Sequence, residues 1–183
     1  MADEKKERWL NWLALTTVIL AVCATFSTFK GGGFSSRSMM SQVQASDQWS
    51  FYQAKGIKAY LYELQRDQFK LELSALAPGA AGEVAAGFKD KIAQYEGKLA
   101  DYDKEKKEIK AKAEELESIR DEAGKHSRAF GSAIIFLQIA ILLSSIAALL
   151  KKPLVWAGGL VCGVVGVVYF VNGFLLFLPP WAG

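Results

Sequence analysis

Three stretches of this 183-residue sequence contain no Asp, Glu, Lys or Arg, and they limit the possible fold more than any other feature. They are Trp9–Phe29, Ala129–Leu150 and Leu154–Leu178. At 1.5 Å per residue, each reaches about 30 Å or more as a helix, enough to cross the hydrocarbon core of a bilayer. The sequence therefore predicts three transmembrane helices and a chain surrounded in part by membrane lipids.

The first stretch has an alternative interpretation as a secretory signal, because the charged segment Met1–Arg8 precedes it. However, it is longer than the apolar region of most signals. Trp9 and Trp12 also lie where interfacial aromatic residues anchor the end of a membrane helix. We expect residues 1–8 to form a charged tail and residues 9–29 to remain as the first transmembrane helix.

The section between the first two apolar stretches is close to electrically balanced. From Lys30 to Arg128 it carries 17 Lys and Arg against 16 Asp and Glu. A nucleic-acid-binding surface would concentrate basic charge, so no nucleic-acid partner is expected. The two cysteines, Cys23 and Cys162, both lie in apolar stretches, and this argues against a disulfide framework.

Glycine and proline divide this section into parts. Three consecutive glycines in the segment 30–37 predict a break in the helix and a flexible hinge. A helix is expected over residues 38–75, followed by a Pro- and Gly-containing loop over residues 76–87.

Residues 88–128 carry the clearest periodicity in the chain. Apolar residues recur in alternating steps of four and three, as expected for one side of a coiled coil. The positions are Phe88, Ile92, Tyr95, Leu99, Tyr102, Lys106, Ile109, Ala113, Leu116, Arg120 and Ala123. We predict an all-α fold in which helices 38–75 and 88–128 form an antiparallel coiled-coil arm. The second helix is expected to continue into the second transmembrane helix, 129–150.

The C-terminal part is divided by a short basic turn. Residues 151–153 form this turn, residues 154–178 form the third transmembrane helix, and residues 179–183 form a tail.

The first soluble helix contains an unusual concentration of aromatic residues. Five lie between Ser46 and Gln65, and they fall on more than one side of the helix. We expect the aliphatic side, which includes Ser50, Ala54, Ile57, Leu61, Leu64 and Leu71, to pack along the second helix. A separate stripe, made of Trp49, Tyr52, Gly56 and Tyr60, is then predicted to contact another subunit. The alternatives are aromatic residues that face lipid headgroups and an aromatic ligand cage.

Two sets of residues in the apolar stretches are candidates for helix packing or for a pore. Small residues let membrane helices approach closely, and Gly159, Gly163, Gly166 and Gly173 share one side of the third helix. Their partner is either the second helix of the same chain or another subunit. Three polar residues, Gln138, Ser145 and Asn172, are candidates to line a pore, or to form hydrogen bonds between helices.

Basic residues near the ends of the apolar stretches give a weak indication of orientation. Lys5, Lys6, Arg8, Lys151 and Lys152 flank one side, and an equal number flank the other. The short Lys151–Lys152–Pro153 turn is the kind of loop to which the positive-inside rule applies best. We therefore expect a cytoplasmic N-terminus and the helical arm on the opposite side.

No set of residues typical of catalysis is present. His126 is the only histidine, which excludes two-histidine zinc sites within one chain, and we expect no Ser-His-Asp triad. The three glycines at 31–33 are not followed by the Lys and Ser/Thr of a phosphate-binding loop. We expect no enzymatic activity, no cofactor and no metal.

Three segments of the sequence are similar to a known family: WLNWLALTTVILAVCATFSTFKGGG, SQVQASDQWSFYQAKGIKAYLYELQ and FGSAIIFLQIAILLSSIAALLKKP. Through them the sequence resembles a bacterial membrane-protein family known as domain of unknown function 4337. The resemblance implies a small protein of the bacterial inner membrane with a helical soluble section. It implies no substrate and no catalytic residue.

Two functional hypotheses follow. The first is a structural or scaffolding homo-oligomer with a protruding helical arm. The second is a channel or small-solute conduit formed by the oligomer.

Overall fold

The computed structural model describes residues 2–76 and 82–178, with side chains from residue 9 onward. These residues form three α-helices and no strand, which confirms the predicted all-helical class. Helix α1 is Ala2–Ala75, helix α2 is Glu83–Leu150 and helix α3 is Pro153–Leu175. Each contains a segment that is long and apolar enough to cross a membrane.

The predicted glycine hinge is wrong, because α1 is helical through residues 31–33. The reason is a tertiary contact at the first of the three glycines. A Cβ atom on Gly31 would lie 3.0 Å from the Cβ atom of Phe130, and the Ser127 hydroxyl donates a hydrogen bond to the Gly31 carbonyl at 3.2 Å. Glycine at this position allows α1 to approach α2 closely, and that packing outweighs its low intrinsic helix propensity.

The boundaries near the predicted loop 76–87 also differ. The second helix begins at Glu83 instead of residue 88, so the last part of the predicted loop is helical. The Pro78–Gly79 step lies outside the described residues. From Glu83 the helix continues without a break into its apolar segment, as expected from the absence of a helix-breaking residue near residue 128.

The chain divides into two compact units, each treated separately below. Unit 1 comprises Met1–Met40 and Ile119–Gly183, and unit 2 comprises Ser41–Ser118. In unit 1, α2 is the central helix, because one of its sides is almost fully buried. The buried residues on this side are Ala129, Phe130, Ala133, Leu137, Ala140, Ser144 and Ala147.

The two ends of α3 have recognisable local causes. Lys151 takes a left-handed conformation at φ 52°, and Lys152 and Pro153 then begin the helix. Proline suits this position because its missing N–H has no partner in a first turn. At the other end Leu176 is left-handed, and its N–H donates to the Asn172 carbonyl at 2.8 Å. The predicted tail 179–183 lies outside the described residues.

Candidate functional site

Unit 2 is an antiparallel pair of helices held by a stripe of side chains on each helix. On α1, the less exposed residues follow one another in unbroken steps of four and three. They are Ser41, Ala45, Gln48, Tyr52, Lys55, Ala59, Tyr62, Arg66, Phe69, Leu73 and Leu76. We call this set the inner stripe. On α2, every residue of the predicted heptad stripe that lies in unit 2 is partly or fully buried, which is consistent with a side that packs on α1.

Aromatic contacts join the two helices. The Tyr62 ring lies 5.4 Å from Tyr95 and 5.7 Å from Tyr102, measured between centroids. The Phe69 ring lies 5.7 Å from Phe88. Tilted and edge-on pairs at such distances add to the free energy gained by burying the rings. The pairing of rising residue numbers on α2 with falling numbers on α1 establishes the antiparallel direction.

Charged residues of the inner stripe are compatible with this packing because their polar ends have partners. Lys55 forms an ion pair with Glu105, and its ammonium lies 5.2 Å from the centroid of the Tyr102 ring. On the facing stripe of α2, the Lys106 ammonium similarly lies 5.0 Å from the centroid of the Tyr52 ring. Long basic side chains can cover apolar surface with their methylene groups while keeping the charge near water. These lysines already occupy the aromatic faces that a cationic ligand cage would need.

The predicted assignment of sides on α1 is wrong. The aliphatic residues expected to pack on α2 point away from it: Ile57 is 65% exposed, Leu61 58%, Leu64 57% and Leu71 70%. Ser50 and Ala54 are exposed as well. The physical reason is that the ring and ion-pair contacts of the inner stripe match the residues α2 presents, including Tyr95, Tyr102 and Glu105.

The stripe predicted to contact another subunit is divided by the structure. Trp49 Nε1 donates a hydrogen bond to Glu117 Oε1 at 2.9 Å, so this side chain contacts α2 of its own chain. Tyr52 packs edge-on to Trp49, with ring centroids 5.7 Å apart. Gly56 is half-buried with no atom near its missing Cβ position, and Tyr60 is exposed.

The exposed aliphatic residues form a second heptad on α1. Ser50, Ala54, Ile57, Leu61, Leu64, Gln68, Leu71 and Ala75 follow one another in steps of four and three, and all are exposed. We call this set the outer stripe. On the part of α2 that belongs to unit 2, Val84 is the one large exposed apolar residue in the described chain. The other exposed positions there are mostly charged or small, so most of the exposed apolar surface of unit 2 lies on α1.

The three polar candidates for a pore lie in two different environments. Asn172 is fully buried in unit 1, where its Oδ1 accepts a hydrogen bond from the Leu178 N–H at 2.7 Å. This amide therefore caps the end of α3. Gln138 and Ser145 instead lie on the exposed side of α2, and the Ser145 hydroxyl donates to the Ile141 carbonyl at 2.9 Å.

The four predicted packing glycines of α3 are all buried within unit 1. Added Cβ atoms would lie 3.2 Å from the Ala140 carbonyl at Gly159, 2.8 Å from Leu137 at Gly166 and 2.6 Å from Phe130 at Gly173. At Gly163 the nearest atom belongs to Leu20 of α1. The structure thus places their close contacts within the chain.

Titratable groups do not assemble into a chemical site in the described residues. Among residues 2–76 and 82–178, no group of three or more His, Cys, Asp and Glu could hold a metal ion. The perturbed groups belong to surface ion pairs: a hydrogen bond from Lys70 lowers the pKa of Glu96, and one from Arg120 lowers the pKa of Asp121. Cys23 and Cys162 are both free.

Sequence reasoning missed the outer stripe as an exposed surface, although the signal was present. The inner stripe continues without interruption from Ser41 to Leu76, a longer heptad than the aliphatic one. Gln48, Lys55 and Arg66 interrupt its apolar character, so hydrophobicity alone favours the aliphatic stripe as the packing side.

Comparison with known families gives one result. The model of the family described as Domain of unknown function (DUF4337) matches residues 9–176. No curated protein and no solved structure matches the chain. The matched range includes all of α2 and α3 and most of α1, and the chain therefore belongs to the DUF4337 family.

Proposed function

We propose that this chain is a multi-pass membrane protein that serves as a structural homo-oligomer, with copies held together through the outer stripe. This proposal rests on one observation in unit 2. Helix α1 already packs on α2 through the inner stripe, and the outer stripe is a second heptad on α1 that remains exposed. In a single copy, a heptad of exposed Ile and Leu residues has no packing role. A second helix in coiled-coil contact would bury it.

Membrane insertion is supported by the distribution of polarity in unit 1. Large apolar residues face outward, among them Leu15, Val18, Val22 and Phe26 on α1. The interior, in contrast, contains the buried polar residues Ser27, Ser144 and Asn172. In water such an apolar exterior would promote aggregation, whereas in lipid it is the favoured surface.

A second copy of the chain is a suitable partner for the outer stripe because the flanking charges are few and mixed. Lys58, Gln65 and Glu72 lie on one flank, and Asp67 lies on the other. Such a border does not repel an identical surface strongly. Burial of each exposed Ile or Leu in the stripe would contribute about 1–2 kcal/mol to association, less the cost of bringing two copies together.

The test is the mass of the detergent-solubilised particle. The variant Leu61→Gln with Leu64→Gln should lower the mass to that of a smaller assembly while the helix content is retained. The matched control, Ala93→Gln with Ala100→Gln, places the same side chains at exposed positions of α2 and should leave the mass unchanged. A helical wild-type monomer, or an unchanged mass in the outer-stripe variant, would overturn the proposal.

A conduit is less well supported than a scaffold. The Asn172 amide caps the end of α3. Of the three predicted pore-lining residues, Gln138 and Ser145 are therefore the two that face outward. The residues between and around these two on the exposed side of α2 are aliphatic. Such a surface suits lipid or a neighbouring helix better than the passage of a hydrated solute.

We further propose a bacterial inner-membrane location with a cytoplasmic N-terminus. The support is the Lys151–Lys152 turn between α2 and α3, a short basic loop of the type the positive-inside rule describes. A cysteine placed next to this turn should react with a membrane-impermeant thiol reagent only in inverted vesicles. Labelling from outside intact cells would show that the orientation is the opposite of the one proposed.

A further inference from the structure

The exposed side of α2 in unit 1 carries a heptad of its own, opposite the buried side. Its members are Gly131, Ile135, Gln138, Leu142, Ser145 and Leu149, in steps of four and three. Ile135 is 54% exposed, Leu142 60% and Leu149 82%. The aliphatic residues occupy one heptad position, and the small or polar residues Gly131, Gln138 and Ser145 occupy the other. We call this set the α2 outer face.

Gln138 is the residue of this face that is least compatible with lipid. It lies about 14 Å from Ala129 and about 18 Å from Leu150 at 1.5 Å per residue, near the middle of the apolar segment. Within residues 2–76 and 82–178, its amide has no hydrogen-bond partner, and the side chain is exposed. The middle of a bilayer contains no water that could serve as a hydrogen-bond partner for this amide.

The exposed hydroxyl groups in the apolar segments are satisfied locally. The hydroxyls of Thr25 and Thr28 donate to carbonyls one turn earlier in α1, and Ser145 does the same in α2. Such self-contained hydrogen bonds let these side chains face lipid at little cost. The Gln138 amide, with two donors and an acceptor, therefore requires a partner from outside the described chain.

We propose that Gln138 pairs with Gln138 of a second copy, amide to amide, where two α2 outer faces cross. A glutamine amide is self-complementary, since its NH₂ group can donate to the partner's carbonyl while its own carbonyl accepts in return. A two-fold axis would bring the same residue of each copy together. Gly131 and Ser145, one heptad to either side, are small enough to let the backbones approach, and no atom lies within 4 Å of a Cβ placed on Gly131. This inference rests on the proposed membrane homo-oligomer and identifies the residue that joins its copies within the membrane.

The experiment uses the full chain in lipid vesicles, with Cys23 and Cys162 replaced by Ala so that introduced thiols are the only ones. Leu142→Cys on the α2 outer face should form disulfide-linked dimers on mild oxidation. Val164→Cys, which is 64% exposed on α3, is the matched control and should not. In the chain with its native cysteines, Gln138→Leu should weaken association about 3- to 30-fold, the range found for polar contacts between membrane helices. Val161→Leu on α3 should leave association unchanged.

The outcomes separate this inference from the scaffold on which it rests. If the wild type assembles but Leu142→Cys does not cross-link and Gln138→Leu binds as tightly, Gln138 pairing is wrong and the scaffold is retained. If the wild type is a monomer in both detergent and vesicles, both proposals fail. Solute flux that depends on Gln138 without any loss of association would also overturn the pairing, because the amide would then face a conduit.

Discussion

His126 Nδ1 lies 2.7 Å from the backbone oxygen of Gly173, in the last turn of α3. A carbonyl oxygen can only accept, so Nδ1 carries the hydrogen and donates it. The ring is held in place by Phe34 of α1, which stacks on it at 4.5 Å between centroids. The carbonyls in the last turn of a helix have no partner within that helix. The single histidine of the chain therefore caps α3 and connects all three helices of unit 1.

Replacement of this histidine should test the capping role. We expect His126→Ala to lower the free energy of unfolding by about 1 kcal/mol, because the Gly173 carbonyl loses its donor. His126→Asn should lose less, since its amide nitrogen can reach a position close to that of Nδ1. The midpoint of thermal unfolding, followed by circular dichroism in detergent, measures both. Equal losses for Ala and Asn would mean that the ring stacking, not the hydrogen bond, is what stabilises this end.

Gly173→Ala should destabilise unit 1 through steric overlap. The added Cβ would lie 2.6 Å from Phe130, a fully buried ring that also packs against Phe174 and cannot move aside freely. Overpacking of this kind costs about 1–3 kcal/mol. Gly158→Ala is the matched control, because no atom lies within 4 Å of its added Cβ. That substitution should be neutral or stabilise the helix by up to about 1 kcal/mol. Indistinguishable unfolding midpoints for the two variants would contradict the close packing of α3 on α2.

The glycine triplet of α1 provides a second matched pair. Gly31→Ala should lower the unfolding midpoint, because the new Cβ would lie 3.0 Å from that of Phe130. Gly32→Ala has no atom within 4 Å and should raise stability by about 0.5–1 kcal/mol through improved helix propensity. A flexible hinge would instead predict that both substitutions affect the chain alike. The comparison of the two midpoints therefore tests whether this segment is a rigid helix.

The parts of the fold that the sequence predicted correctly are those where one physical signal dominates. Uninterrupted apolar stretches without charge or proline gave the three long helices, since no other regular structure satisfies so many backbone groups in an apolar setting. On α2, the only apolar periodicity from Phe88 to Leu116 is the one that packs on α1. Its alternative sides are too highly charged to compete.

The sequence of α1 contains two heptads, and the more hydrophobic of them is not the one that packs on α2. The outer stripe is more aliphatic, but the inner stripe has the side chains that α2 can accommodate, such as Tyr62 beside Tyr95 and Lys55 beside Glu105. This match depends on both helices together, so the composition of α1 alone could not reveal it. The glycine triplet shows the same limitation, because the partner that keeps Gly31 helical is Phe130, far along the chain.

Because Trp49 contacts α2 of its own chain, its replacement should change the stability of unit 2 without changing the assembly of copies. Trp49→Phe removes the donor to Glu117 but keeps an aromatic ring beside Tyr52, so unit 2 should lose about 1 kcal/mol of stability. The mass of the particle should stay that of the wild type, because the contact lies within one chain. Glu117→Gln, which retains an acceptor oxygen, should lose less. If Trp49→Phe dissociates without any change in its unfolding midpoint, Trp49 contacts another subunit instead.

The ion pair between Lys70 and Glu96 predicts a dependence of stability on pH. Lys70 Nζ lies 2.8 Å from Glu96 Oε1, and it lowers the pKa of this carboxyl below the ordinary value of 4.5. A pKa that is lower in the folded state means that the pair stabilises the fold above pH 4.5. This contribution is lost as pH falls through the lowered pKa.

Glu96→Gln should therefore unfold at a lower temperature than the wild type at pH 7, and the difference should close as the pH falls through the lowered pKa of Glu96. Both side chains are exposed, so the difference should be small and should shrink in high salt. Glu108→Gln is the control, since Glu108 forms no ion pair with the described residues. A difference for Glu96→Gln that persists unchanged in acid would show that the substitution acts through something other than the lost charge.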